Sequence, residues 1–179
     1  MIVTVKNQQQ VLLERFSMPM SSDLVIYLQN LKLETTRRFA PHPFDETSIQ
    51  NFYQSPQPTI GYIARDTSNN LIIAYAVTRI GYLDHDLPRL SAYGKTYSKE
   101  TDCTFAPSVA DEWQGMGVGN AMFDFIVADM KRNGIKRMIL WGGVQADNEQ
   151  AIRYYSKHGF ELLGKFEYHG LNYDMLLEL

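Results

Sequence analysis

A strand has to become a helix between residues 110 and 117, and that junction limits the fold more than any other stretch of the chain. Residues 101 to 110 are rich in apolar and β-branched side chains, and Gly115, Gly117 and Gly119 then alternate. Val118, Ala121, Met122, Phe125 and Ile126 follow at i, i+3, i+4, i+7 and i+8, the apolar face of a helix over 117–133. Asn133 and Gly134 close that helix with residues suited to a left-handed cap. The pattern repeats with a strand at 136–142, a helix at 147–158 ending on Gly159, and two strands at about 160–168 and 172–178. Upstream, Thr59–Ala64 and Leu71–Ile80 flank the turn-prone residues 66–70 and predict a hairpin. The first third carries weaker signals. Val11–Phe16 reads as a short strand, and Ser21, Ser22 and Asp23 offer caps to a helix with Leu24, Leu28 and Leu31 on one face. Pro41 and Pro43 make 40–45 a loop before a short helix at about 45–54. Residues 82–100 show no steady period and read as a long functional or mobile loop.

Composition removes whole classes of function. Lys plus Arg number 17 against 20 Asp plus Glu, so a net charge of −3 gives no basic footprint for nucleic acid. With 45% hydrophobic residues the chain of 179 is not disordered, and it is read as one domain over 1–179. Cys103 is the only cysteine, so no internal disulfide asks for an oxidising compartment. Residues 1–16 lack the layout of a secretion signal, and the run from Leu71 to Val77 is too short to cross a bilayer. A cytoplasmic protein without a membrane partner is expected. The four histidines show no ligand spacing, so no metal is expected either.

Glycines where a strand enters a helix let the backbone approach a ligand, and the unpaired N–H groups of the first turn suit a phosphate or pyrophosphate. The alternative is a tight turn with small-residue packing. A triphosphatase loop needs Lys then Ser/Thr after its last glycine, whereas Asn120 and Ala121 follow Gly119, and the spacing fails the dinucleotide fingerprint. The segment instead resembles the pyrophosphate loop of the GNAT superfamily of acyl-CoA-dependent N-acetyltransferases, Arg/Gln-x-x-Gly-x-Gly/Ala, at Gln114, Gly117 and Gly119. A second match lies downstream, where Asn148, Ala151, Tyr155, Gly159 and Phe160 follow the family's Asn-x-x-Ala-x-x-x-Tyr-x-x-x-Gly-Phe pattern. The resemblance covers about 59–179. It leaves 1–58 to general layout, in a part that varies across the family and carries acceptor specificity.

The resemblance implies an α/β fold with a mixed, mostly antiparallel central sheet, helices on both faces, and a splayed parallel pair, 101–110 with 136–142, at the CoA site. It implies acetyl-CoA as co-substrate, its pyrophosphate held by the amides of Gly115, Met116, Gly117, Val118, Gly119 and Asn120, with Gln114 in the same loop. Val109 would offer backbone groups to the pantetheine amides and acetyl carbonyl, and a main-chain N–H at Val109 or Ala110 would meet the oxyanion. Pro107, without an N–H, suits an interrupted strand. Asn148 would cap its helix, contact the cofactor, or both. Tyr155 would give a proton to the departing thiolate, the alternative being core packing with its hydroxyl on the backbone. The base stays open among Glu100, Asp102, Glu112, Asp84, His85, Asp86 or a water relay. His42 is a loop packing residue or an acceptor contact, Cys103 a buried small apolar residue, and Trp113 and Trp141 packing residues beside the cleft. The expected acceptor is a small-molecule primary amine, and the resemblance implies a homodimer, since related enzymes often pair. The other readings are a non-catalytic acyl-CoA-binding sensor and a protein or peptide N-acetyltransferase.

Overall fold

The structure is a computed structural model that describes residues 1–56 and 58–179. It divides into two compact units, Met1–Thr78 with Ala106–Asp129, and Arg79–Phe105 with Met130–Leu179.

In the first unit β1 (Ile2–Thr4) and β2 (Gln10–Arg15) form a hairpin whose turn holds Asn7 and Gln8 at positive φ. The expected strand at Val11–Phe16 is present, but its three-residue partner was too short to show a period of two. β2 pairs antiparallel with β3 (Thr59–Asp66), Val11 opposite Asp66. β3 and β4 (Ile72–Ile80) make the expected hairpin, with Asn70 at φ 63 and Asp66 accepting the Ser68 N–H at 3.0 Å in the turn. β4 is buried without a break from Ile72 to Thr78, which is why it reads as an apolar run rather than an alternation.

Helix α1 (Ser21–Asn30) buries Leu24 and Leu28 as expected, with Leu31 buried just past its end and Tyr27 buried in addition, but its caps differ. Met20 stands at the cap without a side-chain bond, while the Ser21 and Ser22 hydroxyls donate to Glu46 and Asp23 pairs with Arg65. Helix α2 (Leu33–Arg38) carries no sequence signal, because its cap comes from afar: Asp111 accepts from the Lys32 N–H at 3.0 Å and the Thr35 hydroxyl at 2.9 Å. Helix α3 (Glu46–Tyr53) has a local cap, Asp45 accepting the Ser48 N–H at 2.9 Å.

Beyond β4 come α4 (Leu87–Ser91), β5 (Asp102–Val109), α5 (Val118–Arg132) and β6 (Arg137–Leu140). On α5, Val118, Met122 and Ile126 are buried as expected. The buried Asp129 between them and Met130 is neutralised within the first unit, taking the Tyr62 hydroxyl at 2.6 Å and the Arg15 guanidinium at 2.9 Å. α5 ends at Gly134, φ 78, where the Ile135 N–H reaches back to Met130 O at 3.1 Å.

In the second unit β5 and β6 pair in parallel from Asp102–Arg137 to Phe105–Leu140. β7 (Val144–Gln145), α6 (Glu149–Lys157), β8 (Glu161–Glu167) and β9 (Leu171–Glu178) follow, with β6, β7 and β8 each antiparallel to β9. The strand expected over 136–142 stops at Leu140, because Gly142 and Gly143 turn the chain with φ 64 and 75. Residues 82–100 are held rather than loose. Asp174 on β9 accepts Arg89 of α4 at 2.7 and 3.2 Å and the Tyr93 hydroxyl at 2.9 Å, and Leu90 packs with Ile139 and Leu176. The strands are therefore mixed but mostly antiparallel, β5 with β6 being the parallel pair, and accompanied by helices, as expected. No helix among the described residues is long and apolar enough to cross a membrane.

Candidate active site

The two edges of β5 have different duties. Its even-numbered residues bond to β4, with the Gly81 N–H on Asp102 O at 2.7 Å and the Ala110 N–H, just past the strand, on Ile73 O at 2.8 Å. Its odd-numbered residues point their N–H and C=O groups the other way, as Phe105 O does in accepting the Trp141 N–H at 2.9 Å. Pro107 and Val109 lie further along this second edge, beyond the last parallel pair at Phe105–Leu140. Pro107 has no N–H for it. Val109 keeps its N–H off the β4 ladder, and its carbonyl accepts the Gln114 side-chain amide at 3.2 Å. Ala110, by contrast, uses its N–H on β4.

After a 3-10 turn over Asp111–Trp113, Gly115 and Gly117 adopt φ 73 and 96, a region costly for any residue with a Cβ. A Cβ built on either glycine meets no atom within 4 Å. Close packing of small residues therefore does not account for these glycines; backbone conformation does, and the space before them is open. Met116 between them accepts the Lys6 N–H at 3.0 Å, which anchors the turn to the β1–β2 hairpin within the same unit. Val118, Gly119 and Asn120 follow as the first residues of α5, the end at which the helix dipole is positive.

The second unit carries Asn148 and Tyr155. Asn148 is the cap of α6, its side-chain oxygen accepting the Ala151 N–H at 3.2 Å, so the capping role is met. Tyr155 is buried on α6, with ring centroids 5.3 Å from Phe160 and 5.4 Å from Tyr154. Burial alone pushes its phenol well above the ordinary tyrosine range, with no hydrogen bond or charge contributing.

Several base candidates are engaged with neighbouring side chains. Asp102, fully buried, holds Arg137 through both oxygens at 2.7 and 2.8 Å and accepts the Ser98 N–H. Asp86 pairs with Arg89 at 2.8 Å, Asp84 with Lys99, and Glu100 accepts the Ser98 hydroxyl at 2.7 Å. His85 and Glu112 stay exposed. Cys103 is buried as expected, its thiol pushed far up by burial. Trp113 and Trp141 are half-buried, the latter stacked under Arg79 at 4.7 Å. A clamp in which the Tyr27 hydroxyl donates to Ser108 at 3.0 Å and Ser108 to Tyr75 O at 3.1 Å has no local signal, because those partners lie 81 and 33 residues apart.

The model of the acetyltransferase (GNAT) family matches residues 27–160. The chain belongs to that family. Its GNAT fold is shared with the GNAT domain of PAT from S. lividans at a TM-score of 0.76 and 18% identity, covering 100% of this chain and 96% of that one. A GNAT acetyltransferase from Streptococcus pneumoniae aligns at 0.70 and 18%, covering 94% and 99%. The yncA protein of Salmonella typhimurium, solved with its cofactor acetyl-CoA, aligns at 0.70 and 16%, covering 94% of each chain. No curated protein matches in sequence. At these identities the neighbours speak for the GNAT fold, while the family assigns this chain to the acyl-CoA-dependent acetyltransferases.

Proposed function

We propose that this GNAT protein transfers the acetyl group of acetyl-CoA to a primary amine of a small-molecule acceptor, directly and within a ternary complex. We read it as one cytoplasmic domain over 1–179. The observation that carries the reading is the pair of positive-φ glycines, Gly115 and Gly117, opening into space at the start of α5. A doubly charged pyrophosphate suits this turn, since main-chain donors and the helix dipole act together over residues 115–120, although the Met116 N–H already donates to Trp113 O at 3.3 Å.

Acetyl-CoA supplies the thioester; the chain's residues do the rest. To the Val109 N–H, kept off β4, we give the oxyanion that grows on the acetyl carbonyl, and Gln114 steadies the Val109 carbonyl. Ala110 borders that point without offering its own N–H. The carboxamide NH2 of Asn148, not engaged by the cap, is a donor to the cofactor. Tyr155 holds a proton firmly at neutral pH and gives it to sulfur as the carbon–sulfur bond breaks. The amine nitrogen forms the new bond and loses one proton, which balances the one Tyr155 delivers.

A thiol-release screen with acetyl-CoA against amines, amino sugars, amino acids and peptides tests this, alongside calorimetric titration of acetyl-CoA. Binding heat together with turnover of a small amine is the expected result. Binding without turnover on any amine would mark a sensor, turnover confined to peptides would move the acceptor class, and no binding heat would end the reading.

A further inference from the structure

His42 sits between Pro41 and Pro43 in the stretch joining Phe39 to α3, and both nitrogens of its ring have partners. Nδ1 lies 2.7 Å from the Pro43 carbonyl oxygen, and a carbonyl only accepts, so Nδ1 carries the proton. The neutral ring then accepts at Nε2, where the Tyr75 hydroxyl donates at 3.0 Å. Tyr75 having given its proton, its oxygen accepts from the Tyr53 hydroxyl at 2.6 Å. Every donor in the row points one way, from α3 through β4 to His42. His42 is 6% exposed, its ring centroid 4.7 Å from that of Phe52, 5.9 Å from Tyr75 and 6.4 Å from Phe44.

The titratable groups facing the ring are Asp45 from its own segment, Tyr75 from β4 and, through Tyr75, Tyr53 from α3. Burial holds both phenols protonated. Burial also dominates at His42, lowering its pKa below the ordinary histidine value against the weaker opposing pulls of the Pro43 carbonyl and Asp45.

We propose that His42 is a positioning residue, a pin that seats residues 39–53 on β4 only while its ring is uncharged, and that acid releases this acceptor side of the transferase. The acceptor assignment rests on the reading above, because only the family resemblance gives this region to the acceptor. The direction follows from proton binding. An unseated imidazole titrates near its ordinary value and the seated one lower, so the open form binds more protons and seating weakens as pH falls below about 6.5. Between pH 7.5 and 5.0 the opening equilibrium rises by at most about 30-fold for a ring that stays neutral when seated.

Hydrogen exchange on the full chain, corrected for intrinsic rates, reads this directly. Residues 39–53 should lose protection from pH 7.5 to 5.0 relative to β2 and β3, by up to about 30-fold. In His42→Gln, whose carboxamide both donates and accepts but does not titrate, the acid loss should vanish. Protection independent of pH in the wild type, or an equal acid loss in His42→Gln, overturns the pin. Should that variant fail to fold, long-range proton–nitrogen spectra of the wild type decide: a neutral ring protonated on Nδ1 at pH 7.5 supports it, and protonation on Nε2 overturns it. With the amine the screen identifies, the amine KM should rise about tenfold in acid while that of acetyl-CoA stays within about twofold. Equal movement of both overturns the acceptor assignment. Loss of acetyl-CoA binding heat at pH 7.5 would instead refute the transferase reading and leave the exchange result standing.

Discussion

Gly115→Ala separates what the glycine turn does for the protein from what it does for a ligand. Gly115 has φ 73 and a Cβ there meets nothing within 4 Å, so the chain feels the new methyl only through its backbone. Holding an L-residue in that left-handed region costs about 1–2 kcal/mol. Gly134 is a matched control, with φ 78 and equally open surroundings at the far end of α5. Both alanine variants should therefore lose about 1–2 kcal/mol, seen in calorimetry as a melting shift of about 2–8 °C. They should part company on acetyl-CoA. A methyl projecting into the open space before the amides crowds whatever sits there, and overpacking costs about 1–3 kcal/mol. That weakens binding by about 5- to 150-fold in Gly115→Ala, with Gly134→Ala within about twofold of wild type. Isothermal titration measures it. If Gly115→Ala is destabilised like Gly134→Ala yet binds as tightly as wild type, the turn is not the pyrophosphate site; if neither loses stability, the backbone reasoning is wrong.

Tyr155→Phe should lower kcat by about 100-fold or more with the acetyl-CoA dissociation constant almost unmoved, and undiminished turnover would remove the phenol from the mechanism. Because burial raises that phenol above its ordinary pKa near 10, its proton stays in place across the neutral and mildly alkaline range, and a pH–rate profile should show no loss from this group below about pH 10. Asp102→Asn leaves Arg137 without its carboxylate. The guanidinium retains some solvent access at 19% exposure, so the loss should fall at the lower end of about 3–5 kcal/mol in a denaturant titration, and a loss below about 1 kcal/mol would contradict the buried pair. Gly61→Ala drives a Cβ into the Tyr53 hydroxyl and to 2.8 Å from the Phe16 Cβ, so it should destabilise by about 1–3 kcal/mol in thermal melts. Tyr53→Phe in the same background should recover part of that loss, and no recovery would place the strain elsewhere.

What could be read in advance followed how far apart the interacting residues are. α5 announced itself through an apolar face repeated every turn and a glycine cap directly behind it, all local signals. α3 followed the proline-broken loop at 40–45 that the sequence shows, and its cap is local too, Asp45 lying three residues before the N–H it accepts. α2 carried no such signal, since Asp111, 79 residues from Lys32, supplies its cap. The stretch over 82–100 looked loose because the carboxylate that fixes Arg89 lies 85 residues away on β9.

The same divide runs through the site. Glycine is nearly alone in tolerating positive φ, so Gly115 and Gly117 marked their turn in the bare sequence, and with Asn148 and Tyr155 at family spacing they named the family. Which main-chain N–H of Val109 and Ala110 is spare, which carboxylates are tied to arginines, and that His42 is an uncharged ring at the end of a row of hydroxyls were settled only on folding. Those properties belong to pairs brought together by strand register and burial, and no single residue type encodes its distant partner.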